Sequence, residues 1–79
     1  MAYELEIMIK RKVRPFRVTG VEAEVRVKEI VESFLAAWGI PAPESFRGAG
    51  KSTFAVRLAE TGSYRHDEAD YLVVAKRSE

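Results

Sequence analysis

The sequence predicts an α+β fold of two layers, in the order β-β-α-β-β, with one helix packed across a four-stranded sheet. Three observations predict it. Residues Tyr3 to Lys10, "YELEIMIK", alternate apolar and polar at a period of two. Val27, Ile30, Val31, Phe34, Leu35 and Trp38 recur at the spacing of one helical face. Two later runs, Thr53 to Ala59 and Asp70 to Lys76, alternate again. Half-buried strands and one apolar helical stripe are satisfied by laying one layer on the other. A chain of 79 residues makes this a single small domain, residues 1–79.

The elements follow in chain order. In the first strand Tyr3, Leu5, Ile7 and Ile9 face one way, and Glu4, Glu6, Met8 and Lys10 face the other. A second strand runs through "VRPFRV". Pro15 has no N–H to give to a ladder, so this strand lies at an edge or is interrupted there. "KRKVR" between the two strands is a basic hairpin turn. The helix has two readings for its start. Thr19 with Glu22 reads as a capping box that begins it near Gly20. The alternation of Val21, Ala23, Val25 and Val27 would instead carry the second strand on to about Val25. Gly39 is placed to cap the far end, and Pro41 blocks continuation. Pro41 to Ser52 is a loop. In the third strand Phe54, Val56 and Leu58 point inward. "ETGSYRHDEA" is a polar connection, and the fourth strand is "DYLVVAK".

Composition narrows the class. Hydrophobic residues at 47% indicate a globular chain rather than a disordered one. With no cysteine there is no disulfide framework, thiolate zinc site or cysteine nucleophile. No long apolar run and no signal-like opening are visible, so the expectation is a cytoplasmic protein without a membrane partner. The net charge of +1 argues neither for nor against a polyanionic partner.

The segment "FRGAGKST" resembles half of a phosphate-binding loop. Gly50, Lys51 and Ser52 fit its second half, but Ser45 stands where the first glycine belongs. The loop must also follow a buried strand and open a helix. "GIPAPES" precedes it, and "TFAVRLA" after it alternates like a strand. The expectation is a turn that binds no nucleotide.

The starting hairpin, the helix and the two later strands resemble the ubiquitin-like β-grasp. "GIPAPES" is similar to the segment in which Gly-Ile-Pro ends the ubiquitin helix, and "FRGAGK" follows at a distance similar to that family's "F-A-G-K" turn. The resemblance implies a β-grasp-like sheet, a β-turn at "GAGK", and docking of protein partners on the open sheet face. The chain ends "AKRSE" without Gly-Gly, so the resemblance implies a binding module rather than a conjugated modifier.

Catalytic chemistry finds little purchase. His66 is the only histidine, in "YRHDEAD". Asp67, Glu68 and Asp70 lie nearby, yet a polar loop has the same composition, and no metal or other cofactor is expected. Nothing in the sequence orients His66 as a base for a hydroxyl nucleophile. Phe34 and Trp38 are read as core because they continue the helical stripe.

The expected function is therefore non-catalytic protein binding through the open sheet face. That face carries Met8, Ala55 and Arg57, with Leu72 and Val74 or Val73 and Ala75 added according to register; the first pair is adopted. The alternative is nucleic-acid binding or regulation by the basic segment, through Lys10, Arg11, Lys12, Arg14 and Arg17, with Phe16 interleaved. Inhibition of a host complex by a phage or mobile-element protein is a further alternative.

Overall fold

A computed structural model describes residues 2–43, 46 and 53–78. The element order is β1 (Ala2–Ile9), β2 (Lys12–Thr19), α1 (Ala23–Ala37), α2 (Thr53–Thr61), β3 (Ser63–Asp67) and β4 (Tyr71–Arg77). The strands form one sheet in the order β2-β1-β4-β3, and every neighbouring pair is antiparallel. The α+β class and the four-stranded sheet agree with the sequence reading. The second helix does not.

The core forms on one face of the sheet. Tyr3, Leu5 and Ile7 of β1 are fully buried, as are Val73 and Ala75 of β4. Val27, Val31 and Leu35 of α1 and Phe54 and Leu58 of α2 cover them, and all belong to one cluster. The far side of β1 keeps Glu4 and Glu6 exposed. β2 runs through Pro15 on the sheet edge, where a missing N–H that faces away from β1 costs no ladder bond.

The expected third strand, Thr53–Ala59, is the helix α2. Phe54, Ala55 and Leu58 are its buried residues, whereas Val56 is 43% exposed. Those burials fit a turn of 3.6 residues, not an alternation of two. The strand that fills this place in the sheet is β3, inside the expected polar connection. There Tyr64 and His66 turn toward the core side and Ser63, Arg65 and Asp67 toward solvent. Phe46, Phe54 and Tyr64 lock α2 to β3: Phe46 stacks on Phe54 at 4.3 Å, and Tyr64 meets Phe54 edge-on at 4.5 Å.

Neither expected helix start is the observed one. α1 begins at Ala23, Thr19 belongs to β2, and Glu22 caps with φ 56° and no side-chain hydrogen bond. The far end follows expectation. Gly39, at φ 73°, donates to Ala36 O, and Ile40 N donates to Leu35 O at 2.9 Å. These two bonds make a Schellman cap, for which glycine pays no Cβ penalty. The cap ends the helix before Trp38 can reach the core. Trp38 is 43% exposed, which corrects its reading as core, and Phe34 is only half-buried, edge-on to Phe16 at 6.0 Å.

Candidate functional site

Both helices lie over one sheet face, and no helix among the described residues covers the other. The pairing registers place its side chains in rows across the strands. Nearest the β1–β2 turn, Val13, Met8, Leu72 and Asp67 stand side by side on β2, β1, β4 and β3. The next row is Pro15, Glu6, Val74 and Arg65. In the third, Arg17 and Lys76 flank Glu4, and Arg17 pairs with Glu4 at 2.7 Å. Val13 is 52% exposed, and Met8, Leu72 and Val74 are half-buried. The row nearest the turn is therefore apolar on three strands and ends in the Asp67 carboxylate, and the rows beyond it carry more charge.

Met8, Leu72 and Val74 are brought together as the alternation predicts. Ala55 and Arg57 are not, because their segment is α2. Ala55 is 2% exposed in the core, and Arg57 is exposed on the helix, from which it lines a depression at the β3 edge together with Arg65, Val74 and Lys76 of the open face. Val73 and Ala75 point into the core.

The basic segment does not form one patch. Lys10 and Arg11 make the two-residue turn between β1 and β2, at φ 52° and 69°. Such a turn needs positive φ at both positions, which favours Asn and Gly. Lysine and arginine there hold a left-handed conformation that costs each of them about 1–2 kcal/mol. The Lys10 Nζ lies 5.6 Å from the centre of the Trp38 ring, within cation–π range. Lys12 and Arg14 alternate onto the helix side of β2, whereas Arg17 joins Glu4 on the open face.

At the same end of the sheet a cleft of about 560 Å³ opens between the two hairpin turns and the end of α1. Ile9 and Tyr71, paired at the ends of β1 and β4, form part of its floor, with Trp38 and Ile40 from the helix side. Met8 and Leu72 line it from the open face, so the apolar row continues into it. Its volume lies within the ordinary range for ligand and side-chain pockets.

The rims of the cleft carry opposite charge. One is the basic turn, Lys10 and Arg11; the other is the β3–β4 turn, with Asp67, Glu68 and Asp70. Asp67 pairs with Arg65 at 3.3 Å on the outer face. Glu68 Oε1 lies 3.0 Å from His66 Nε2, an ion pair only when that imidazole is protonated. Arg11 and Asp70 make no ion pair among the described residues. Burial raises the Tyr71 hydroxyl pKa above its ordinary value, and the nearby Glu68 carboxylate adds to the rise.

Among the described residues no group of three or more His, Cys, Asp or Glu is placed to hold a metal ion. His66 turns to the core side of β3 and Asp67 to the other, while Glu68 remains beside His66. No helix of the described residues is long and apolar enough to cross a membrane. Lys51 and the glycines of "GAGKS" lie outside the described residues. One ground against nucleotide binding is removed, because α2 does follow that segment. A second ground stands: no strand lies between α1 and α2 among the described residues to lead into it.

Trp38 was missed as a surface residue although a signal was present. It is the last residue of the apolar stripe and immediately precedes Gly39, so the cap that ends the helix also turns Trp38 out. No protein-family model matches the chain, and no curated protein or solved structure is significantly similar to it.

Proposed function

We propose that the chain is a non-catalytic protein-docking module, and that its binding surface is the hairpin end of the open sheet face. The observation that carries this reading is the apolar row Val13, Met8 and Leu72 running without a break into a cleft beside exposed Trp38. Exposed apolar surface rimmed by polar groups is typical of docking sites, and tryptophan is enriched among the residues that carry binding energy. Val74 extends the surface toward the β3 edge, where Arg57 of α2 lines a depression with it, whereas Ala55 is buried and has no part in it. The cysteine-free composition suits a reducing cytoplasm. Kinship with ubiquitin-like β-grasp domains would fit such a role. The likeness rests on the Gly-Ile-Pro segment and the hairpin-first order, and α2 and the antiparallel β1–β4 pair add nothing to it.

Nucleic-acid binding or regulation by the basic segment is less well supported, because its cations are divided between two faces and the turn. Inhibition of a host complex would use the same docking surface. The test is a photo-crosslinking residue placed at Leu72, with the same residue at Val56 as control, exposed to host extract. Protein crosslinks from position 72 and few from 56 are expected. Equal yields from both positions, or crosslinks to nucleic acid alone, would overturn the reading.

A further inference from the structure

The cleft is unusual in having two rims of opposite sign. Lys10 and Arg11 stand on one side, and Asp67, Glu68 and Asp70 on the other. A partner of uniform charge is attracted to one rim and repelled by the other. Nucleic acid, for example, would meet three carboxylates. The occupant must itself be divided into a basic and an acidic half around an apolar centre. One surface known to have that form is this cleft.

We propose that the partner at the docking surface is a second copy of this chain, related by a two-fold axis that passes through the cleft. The inference rests on the docking reading and names its partner. A two-fold contact joins the same patch on both molecules, so the patch must complement itself. Rotation about an axis between the turns sets the basic turn of each copy against the acidic turn of the other. The same rotation brings the two Trp38 rings and the Met8–Leu72 surfaces together at the centre. Arg11 and Asp70, which have no ion-pair partner within the described residues, gain one across the axis. The left-handed Lys10 and Arg11 fit this role. Asn-Gly would make a more relaxed turn but would remove both cations from the rim.

The test uses sedimentation of the full chain over about 5–500 μM at low salt, a range that brackets an interface of micromolar affinity. Wild type should pass from monomer to dimer, and added salt should weaken the dimer. Two charge-reversed chains make the test specific. Lys10→Glu with Arg11→Glu leaves both rims acidic, and Glu68→Lys with Asp70→Lys leaves both basic. Each alone should be monomeric, or at least tenfold weaker than wild type. Mixed together they should form a heterodimer, because facing rims then carry opposite net charge. Lys10→Asn with Arg11→Gly keeps the turn geometry without the cations, so it should fold well and still associate more weakly. Wild type that stays monomeric throughout, or reversed chains that fail to pair when mixed, would overturn the second copy as partner. Protein crosslinks from position 72 to a different chain would then still support the docking reading, so the two failures are distinguishable.

Discussion

Glu22 shows how much strain a single residue can hold. It stands at the start of α1 with φ 56° and no capping side-chain bond. A left-handed backbone suits glycine and asparagine, and disfavours glutamate by about 1–2 kcal/mol. Glu22→Gly should therefore raise stability by about 1 kcal/mol, measured by urea denaturation. A loss of stability would mean that the glutamate side chain does something at this position that its φ hides. Tyr3 gives a second test at this scale. Its ring is fully buried, and its hydroxyl donates to Glu24 Oε2 at 2.5 Å. Burial first, and then the hydrogen bond to Glu24, raise its pKa above the ordinary 10.0. The folded state thus holds the Tyr3 proton more tightly than the unfolded state. The resulting stability is complete below the unfolded pKa and is lost as pH rises through the folded one. Thermal melting followed from pH 8 to 12 should show a decline that begins at about pH 10. Tyr3→Phe should be less stable at neutral pH by about 1–3 kcal/mol, through loss of a hydrogen bond to a charged acceptor, and should show a shallower alkaline decline. An unchanged alkaline decline in Tyr3→Phe would assign it to other groups, Tyr71 first among them.

At the scale of elements, what could be read from the sequence depended on whether burial left a one-sided pattern. β1 was legible because Tyr3, Leu5, Ile7 and Ile9 are buried while Glu4 and Glu6 face water. α1 was legible through Val27, Val31 and Leu35, and its end through Gly39. α2 was not, because two periods fit one short run. Phe54, Val56 and Leu58 satisfy an alternation of two, whereas Phe54, Ala55 and Leu58 satisfy a helix. The choice turns on whether Ala55 or Val56 is buried, and alanine contributes little apolar signal. β3 was hidden because its two inward residues, Tyr64 and His66, are each only half-buried. The site inherited both errors. Met8, Leu72 and Val74 were legible because they lie on true strands, Ala55 was misplaced with α2, and Arg57 reaches the β3 edge from the helix rather than from a strand. Paired substitutions test the helix directly. Leu58→Ala should cost about 2–5 kcal/mol, as for other buried leucines. Val56→Ala should change stability by less than about 0.5 kcal/mol, as surface changes do. Val56→Ala costing as much as Leu58→Ala would restore the strand.

For the whole molecule, the decisive feature is that both helices cover one face of the sheet. A small domain built this way has a thin core and leaves its second face to water or to a partner. Here the exposed apolar groups of that face gather at the end where both hairpins turn and α1 stops. The sequence holds a single tryptophan, and the fold places it at that end, 43% exposed. Its fluorescence therefore reports on the proposed docking surface without a label. The most direct test follows Trp38 emission and acrylamide quenching as the protein associates with itself or with a crosslinked partner. The account predicts that emission shifts to shorter wavelength and quenching falls in step with the associated fraction. Association that leaves both the emission and the quenching of Trp38 unchanged would contradict it.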